Sequence, residues 1–168
     1  MASKLFSLEG KVAVVTGGSR GFGRAIALGL ADAGADIVLA ARTESSLNEV
    51  AAEIEAKGRR ALAVPADMGS KESVSNLATR TIEAFGKVDI LVNNAVLGSN
   101  VPFLKMTEDE WERILDVNLK GYFLTTQAFG QHMFKARRGR VINISSALPE
   151  HPLPYLTHYP ASKGGIMA

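Results

Sequence analysis

The stretch KVAVVTGGSRGFGRAIALGLADAGADIVLAA, residues 11–41, decides the fold. It begins with KVAVVT (11–16), a short apolar run rich in β-branched residues, which is typical of a buried strand. After a glycine-rich turn, GRAIALGLADAGA (23–35) carries apolar residues at helical spacing as far as Gly34. DIVLAA (36–41) then repeats the strand pattern. The order strand, glycine loop, helix, strand predicts a βαβ unit with two parallel strands.

The same alternation continues to the end of the chain. It predicts strands over 60–67, 88–95 and 139–146, helices over 45–58, 71–86 and roughly 108–135, and a last helix that begins near Tyr155. Thr107 and Glu110 form a capping box in front of the long helix. Strictly alternating segments predict an α/β fold, in which a Rossmann-like, doubly wound parallel sheet of about five strands carries helices on both faces. We expect a single domain over residues 1–168.

Composition excludes several classes of protein. The 168 residues include no cysteine, which excludes a disulfide scaffold and cysteine-based chemistry. The net charge of +2 gives no footprint for nucleic acid, and KARRGR (135–140) is more simply a solvated helix end. The N-terminus does not resemble a signal peptide, and no apolar run has the length of a membrane span. We therefore expect a cytoplasmic protein without nucleic-acid or membrane partners, and the spacing of the three histidines indicates no metal site.

The glycine loop after the first strand is a candidate cofactor site. Gly17, Gly21 and Gly23 have the spacing G-x-x-x-G-x-G, between a strand and the start of a helix. Glycines permit close approach of the backbone to a pyrophosphate, which the helix N-terminus attracts. The alternative is a glycine-rich turn that merely packs, but the βαβ context favours a dinucleotide. The residues that we expect to contact it here are Gly17, Ser19, Arg20, Gly21, Phe22 and Gly23.

The end of the second strand indicates which dinucleotide binds. NAD sites place an acidic residue there to hold the ribose 2′-hydroxyl, but this chain has Ala41 followed by Arg42. Arg20 in the glycine loop is a second cation, and two guanidinium groups suit a 2′-phosphate. The sequence therefore favours NADP over NAD. Glu44 lies only two residues beyond Arg42 and keeps NAD open as an alternative.

Tyr159 and Lys163 are candidate catalytic residues. They stand four apart in YPASKGG (159–165), so both lie on one face of a helix. A phenol titrates at pH ~10, and an ammonium one turn away stabilises the phenolate. A tyrosine so placed can protonate a carbonyl or deprotonate an alcohol near neutral pH. Such a pair also occurs by chance, but Ser146 closes the fifth strand, where ligands of open α/β sheets bind.

Asn118 is a further candidate, in the middle of the long helix. Asparagine is a mediocre helix former, and Gly121 follows it closely. This combination indicates a local distortion of the helix or a bound water molecule. The alternative is an asparagine that simply faces solvent.

Together these features resemble the short-chain dehydrogenase/reductase family. The matching segments are TGGSRGFG (16–23), NNA (93–95), Asn118, Ser146 and YPASK (159–163), in the family's order and spacing. The similarity extends over nearly the whole chain from about Leu8. Five motifs in register make it highly specific.

The resemblance implies a role for each catalytic candidate. Tyr159 would be the general acid/base, and Lys163 would tune it and hydrogen-bond the nicotinamide ribose. Ser146, rather than Ser145, would orient the carbonyl of the substrate. Asn118 would anchor a water molecule in a proton relay.

The resemblance also implies a cofactor, a reaction and an assembly. Asp67, at the end of the third strand, would contact the adenine, and Asn94 and Ala95 would line the cofactor cleft; Tyr159 and Lys163 would contact the cofactor as well. The reaction would be hydride transfer between NADP(H) and a small carbonyl or secondary alcohol. The family forms homodimers or homotetramers.

Three features depart from the family pattern. Val96 follows NNA where the family most often has glycine, and the segment after Ser146, ALPEHPLPYLTH, is rich in proline and lacks the usual glycine. Family members also continue beyond the helix of Tyr159 with further strands, whereas this chain stops at Ala168. A sheet order of 3-2-1-4-5 would then leave the fifth strand at an edge. The sequence is either part of a complete oxidoreductase or a catalytically impaired NADP-binding module with a binding or scaffold role.

Overall fold

Five strands form the centre of the fold in the computed structural model, which describes residues 6–168. In chain order they are β1 Val12–Thr16, β2 Asp36–Ala41, β3 Ala61–Pro65, β4 Ile90–Asn93 and β5 Arg140–Asn143. All neighbouring strands are parallel, and their order is β3-β2-β1-β4-β5. The doubly wound, Rossmann-like sheet is therefore confirmed. Because the strand order reverses between β1 and β4, a crevice opens at their carboxyl ends.

Helices connect the strands. They are α1 Gly21–Asp32, α2 Glu44–Glu55, α3 Lys71–Phe85, α4 Glu108–Leu115, α5 Gly121–Lys135 and α6 His158–Met167. A π-helical segment, Asp116–Lys120, joins α4 to α5, so the predicted long helix carries a distortion around Asn118. Within residues 6–168, every helix is too short or too polar to cross a membrane.

The core lies on both faces of the sheet. In β1, Val12 and Val14 pack on one face, while Ala13 and Val15 pack on the other, and all four are at most 2% exposed. Alternate side chains of a strand point to opposite faces, so a strand covered on both sides has a continuous apolar sequence. This explains why VAVVT shows no polar alternation.

Several predicted boundaries differ from the structure. The last helix begins at His158 and not near Tyr155, because Tyr155 has a φ of 68° and cannot continue a right-handed helix. The fifth strand ends at Asn143, so Ser146 lies in the loop beyond the strand rather than at its end.

The predicted capping box is present only in part. Thr107 Oγ1 accepts a hydrogen bond from the Glu110 backbone nitrogen at 3.2 Å. The Glu110 carboxylate, however, binds Ser99 and Arg113 instead of returning to the cap. A tertiary partner has therefore displaced the local one.

The outer position of β5 agrees with the expected sheet order. This strand lies at one end of the sheet, and all four of its residues are exposed. Val141 and Ile142 remain 39% and 45% exposed.

Candidate active site

The glycine loop brings the backbone of β1 and α1 close to the end of β4. Gly17 has a φ of +67°, and a Cβ at this position would lie 2.9 Å from Ala95 Cα. A Cβ on Gly23 would lie 2.1 Å from the Gly17 carbonyl oxygen. Neither position accepts a side chain. The first turn of α1 has no acidic residue, and no side chain caps its N-terminus in the described part of the chain. Its free N–H groups therefore suit an anion.

Thr16 joins the loop to β4. Its Oγ1 accepts hydrogen bonds from the backbone nitrogens of Asn94 and Ala95, both at 3.0 Å. The Asn94 amide Nδ2 donates to the Thr16 carbonyl oxygen at 2.9 Å. These buried contacts fix Asn94 at the switch point between β1 and β4, where a dinucleotide would cross the sheet.

All the residues that the sequence predicts for the cofactor line one cavity of about 480 Å³, apart from Tyr159 and Lys163. They are Gly17, Ser19, Arg20, Gly21, Phe22, Gly23, Arg42, Asp67, Asn94 and Ala95. Sequence reasoning did not identify the other lining residues, which are Ala41, Thr43, Ser46, Ala66, Met68, Val96, Leu97 and Val117. All eight are uncharged and six of them are apolar, so no motif marks them as a binding site.

Two cations and one carboxylate lie on the wall of this cavity. Arg20 and Arg42 are exposed and come from the glycine loop and the end of β2, as expected for a pair that could hold a 2′-phosphate. Asp67 follows β3, and its Oδ1 accepts a hydrogen bond from the Gly69 nitrogen at 2.9 Å. This bond orients the carboxylate on the wall of the cavity.

Lys163 is buried close to Tyr159. Its Nζ donates to the Ile144 carbonyl oxygen at 2.6 Å and to the Tyr122 hydroxyl at 3.1 Å, and it lies 6.0 Å from the centroid of the Tyr159 ring. The residue is 1% exposed, and this loss of solvent lowers the pKa of Lys163 to about 8. The tyrosine and lysine therefore lie on the same side of α6.

Sequence reasoning missed Tyr122. Its hydroxyl donates to the Ile144 carbonyl oxygen at 3.2 Å and accepts from Lys163. Burial, with a smaller contribution from Tyr159, raises the pKa of Tyr122 above its usual value, so its hydroxyl stays protonated. The feature of the sequence that could have identified Tyr122 is its position, one helical turn after Asn118.

Asn118 is fully buried in the π-helical segment, not solvent-facing. Its Oδ1 accepts from the Leu97 nitrogen at 2.7 Å, and its Nδ2 donates to the Leu97 carbonyl oxygen at 2.9 Å and to Ser162 Oγ at 3.2 Å. The side chain thus ties the segment after β4 to α6. A water-anchoring role for Asn118 stays a prediction.

Tyr159 lines a second, smaller cavity of about 260 Å³. Its other lining residues are Gly98, Ser99, Asn100, Leu148 and Leu156. Leu97 lines the first cavity and Gly98 the second, so the two adjoin along the chain. Ser146 lies in the loop that leads to this second cavity, where its Oγ accepts from the Leu148 nitrogen at 3.1 Å.

Comparisons with known proteins agree with this geometry. The family model described as short chain dehydrogenase matches residues 11–168. The chain is 43% identical over 164 residues to the short chain dehydrogenase/reductase astE of Aspergillus oryzae, covering 96% of this chain and 63% of that protein. It is 38% identical over 162 residues to a 3-oxoacyl-[acyl-carrier-protein] reductase of Synechocystis sp., covering 96% of this chain and 66% of that protein.

A solved structure is equally similar. The crystal structure of a metagenomic short-chain oxidoreductase in complex with NADP is 42% identical, with a TM-score of 0.91, and the match covers 95% of this chain and 73% of that chain. The present chain thus spans 63% to 66% of the length of the two curated relatives named above. With the family model matched over residues 11–168 and the fold shared at this level of identity, the chain belongs to the short-chain dehydrogenase/reductase family.

Proposed function

We propose that this protein transfers a hydride between NADP(H) and a small carbonyl or secondary alcohol, with Tyr159 as the general acid/base. The observation that carries this proposal is the position of Lys163 Nζ, which lies 6.0 Å from the Tyr159 ring centroid and donates to the Ile144 carbonyl oxygen just beyond the carboxyl end of β5. The cofactor, when bound, supplies or accepts the hydride. The chain must supply binding, orientation and the proton.

The glycine loop, with Arg20, and Arg42 at the end of β2 would bind the cofactor. The free N–H groups at the start of α1 suit the pyrophosphate, and close backbone approach at Gly17 and Gly23 leaves room for it. Arg20 and Arg42 provide the charge for a 2′-phosphate, which supports NADP rather than NAD. The related metagenomic oxidoreductase was crystallised in complex with NADP, which is consistent with this preference.

Proton transfer falls to Tyr159. Its hydroxyl gives a proton to the substrate oxygen in reduction and takes one in oxidation. The Lys163 ammonium stabilises the phenolate that forms. An ammonium has three donors, and two of them bind Ile144 and Tyr122, so one N–H remains for the nicotinamide ribose. Ser146 Oγ would orient the substrate carbonyl, and the family's homodimeric or homotetrameric assembly remains a prediction.

Replacing Tyr159 tests the proposal. Tyr159→Phe should lower kcat for NADPH-dependent reduction of ketones by about 10²-fold to 10⁴-fold, because the proton donor is lost. The Kd for NADPH, measured by fluorescence titration, should change little. Tyr155→Phe is the matched control, because Tyr155 is 58% exposed in the preceding loop. Near-normal turnover by Tyr159→Phe would refute the acid/base role, and NADPH binding by the wild type without turnover of any carbonyl would favour a binding module.

A further inference from the structure

A fully buried histidine precedes the proposed acid/base. His158 is the first residue of α6 and is 0% exposed. Its Nε2 lies 2.9 Å from Ser99 Oγ and 3.6 Å from the Glu110 carboxylate oxygen Oε1. Its Nδ1 lies 3.0 Å from the Tyr159 backbone nitrogen. The hydride-transfer mechanism does not use this cluster. The cluster connects the segment after β4, helix α4 and helix α6.

The carboxylate end of the cluster is an acceptor. Arg113 donates to both Glu110 oxygens, through Nε at 3.0 Å to Oε2 and through Nη2 at 3.0 Å to Oε1 and 2.9 Å to Oε2. The hydrogen bond from Ser99, followed by the contact with Arg113, lowers the pKa of Glu110. A carboxylate that binds a guanidinium through both oxygens is ionised and can only accept, so the Ser99 hydroxyl must donate to Glu110.

This direction fixes the histidine tautomer. Ser99 has a single hydroxyl proton, and once that proton points to Glu110, Ser99 Oγ can only accept from His158 Nε2. A neutral imidazole carries one N–H, so Nδ1 is left as an acceptor. The donor within reach of Nδ1 is the Tyr159 backbone N–H, which also reaches the Leu156 carbonyl oxygen at 2.9 Å. The donor and the acceptor of each of these hydrogen bonds are therefore assigned: Ser99 donates to Glu110, His158 Nε2 donates to Ser99, and the Tyr159 backbone N–H donates to His158 Nδ1.

We propose that Glu110, Ser99 and His158 are positioning residues that form a directional hydrogen-bond relay and hold the Tyr159 backbone against the wall of the small cavity. The proposal rests on the proposed function in that it takes Tyr159 as the acid/base. Ser99 and Tyr159 line the same cavity. A Cβ built on the neighbouring Gly98 would lie only 3.9 Å from the Tyr159 ring atom Cδ2. The relay thus couples the position of the cavity wall to that of the phenol.

Displacement of the phenol should affect catalysis more than binding. A shift of ~1 Å at a reacting group costs about 10²-fold in rate. NADPH would still occupy the glycine-lined cavity, whose walls contain none of the three relay residues. The relay therefore predicts a fall in kcat with little change in the Kd for NADPH.

Kinetics of two variants test this prediction. Ser99→Ala removes the central link, and His158→Asn keeps an acceptor near the position of Nδ1 but cannot reach Ser99. We expect each to lower kcat by about 10-fold to 100-fold for the ketone that the wild type reduces fastest, with the NADPH Kd unchanged. Ser99→Thr, which keeps the hydroxyl, should restore most of the rate. His132→Asn on α5 is the matched control and should keep wild-type kcat. Full kcat in Ser99→Ala, or a loss that Ser99→Thr does not reverse, would overturn the proposal.

A measurement without turnover separates this proposal from the proposed function. Nitrogen NMR of the imidazole reports which ring nitrogen carries the proton, and we expect Nε2–H for His158 in the wild type. In Ser99→Ala the Tyr159 amide resonance should move, while His132→Asn should leave it in place. An Nδ1–H tautomer, or a Tyr159 amide that does not respond to Ser99→Ala, would overturn the relay even if Tyr159 is catalytic. The expected tautomer and amide shift would support the relay even if no carbonyl were reduced.

Discussion

Lys163 is a base whose protonated form is disfavoured by its own burial. The ammonium has exchanged water for the Ile144 carbonyl oxygen and the Tyr122 hydroxyl, and its pKa falls from 10.5 to about 8. Between these two pH values the unfolded chain binds more protons at Lys163 than the folded protein does. The free energy of unfolding therefore rises with pH across this window, and below pH 8 the cost of burying the charge is fully present.

Lys163→Met should remove this pH dependence. Each pKa unit corresponds to about 1.4 kcal/mol, so the stability of the wild type relative to the variant should increase by up to about 3 kcal/mol between pH 8 and pH 10.5. Urea denaturation of both proteins at several pH values measures the difference. Lys57→Met, at a lysine on the surface, controls for the loss of a lysine elsewhere. A difference that stays flat across the window would contradict the buried-ammonium account.

At the scale of elements, the start of α5 packs against backbone that lines the large cavity. Gly121 is buried, and a Cβ there would lie 2.8 Å from the backbone carbonyl oxygen of Met68. Met68 and Asp67 line the large cavity. The close approach of α5 to this backbone therefore depends on the missing side chain, although the helical conformation of Gly121 would accept alanine.

Gly121→Ala should destabilise the protein by about 1–3 kcal/mol, because the added methyl group overlaps a backbone atom rather than a flexible side chain. It should also weaken NADPH binding by moving Asp67 and Met68. Gly130→Ala is the matched control in the same helix, since a Cβ there meets nothing within 4 Å. That change should stabilise the protein by up to about 1 kcal/mol through helix propensity. Equal effects of the two substitutions on thermal unfolding would refute this account of the packing.

The sequence predicts the strands and helices themselves, but not every boundary or contact. Every predicted strand and helix is present, because each buries an apolar face against the sheet and periodicity records that burial. The start of α6 could not be predicted, since it depends on the left-handed backbone of Tyr155. The partner of Glu110 could not be predicted either. Its local cap was the expected contact, but the loop after β4 brings Ser99 within reach only in the folded protein.

In the candidate site, too, some residues could be predicted from the sequence and others could not. The glycine loop, Arg42 and Asp67 follow the carboxyl ends of separate strands, and the sheet brings those ends to one edge. Topology alone therefore assembles the predicted cavity. The spacing from Asn118 marks the position of Tyr122. Its contact with Lys163, like the contact of His158 with Ser99, is made across the fold and is encoded by no local pattern.

At the scale of the whole molecule, the large cavity receives residues from the ends of β1, β2, β3 and β4. A dinucleotide bound there would contact both halves of the doubly wound sheet, so its binding free energy should add to the stability of the whole sheet. A ligand that binds only the folded state stabilises it by about 2.7 kcal/mol at 100 times its Kd. NADPH should therefore raise the free energy of unfolding, and NADH at the same concentration should raise it less.

The difference between the two cofactors should depend on Arg42. In Arg42→Asp the carboxylate repels the 2′-phosphate and can accept a hydrogen bond from a 2′-hydroxyl, so NADH should stabilise this variant at least as much as NADPH does. Chemical denaturation with each cofactor measures both effects. Arg137→Asp is a control for charge, because Arg137 follows α5, is exposed and does not line the cavity. If NADH and NADPH stabilise the wild type equally, or if Arg42→Asp leaves their ratio unchanged, Arg42 does not bind a 2′-phosphate.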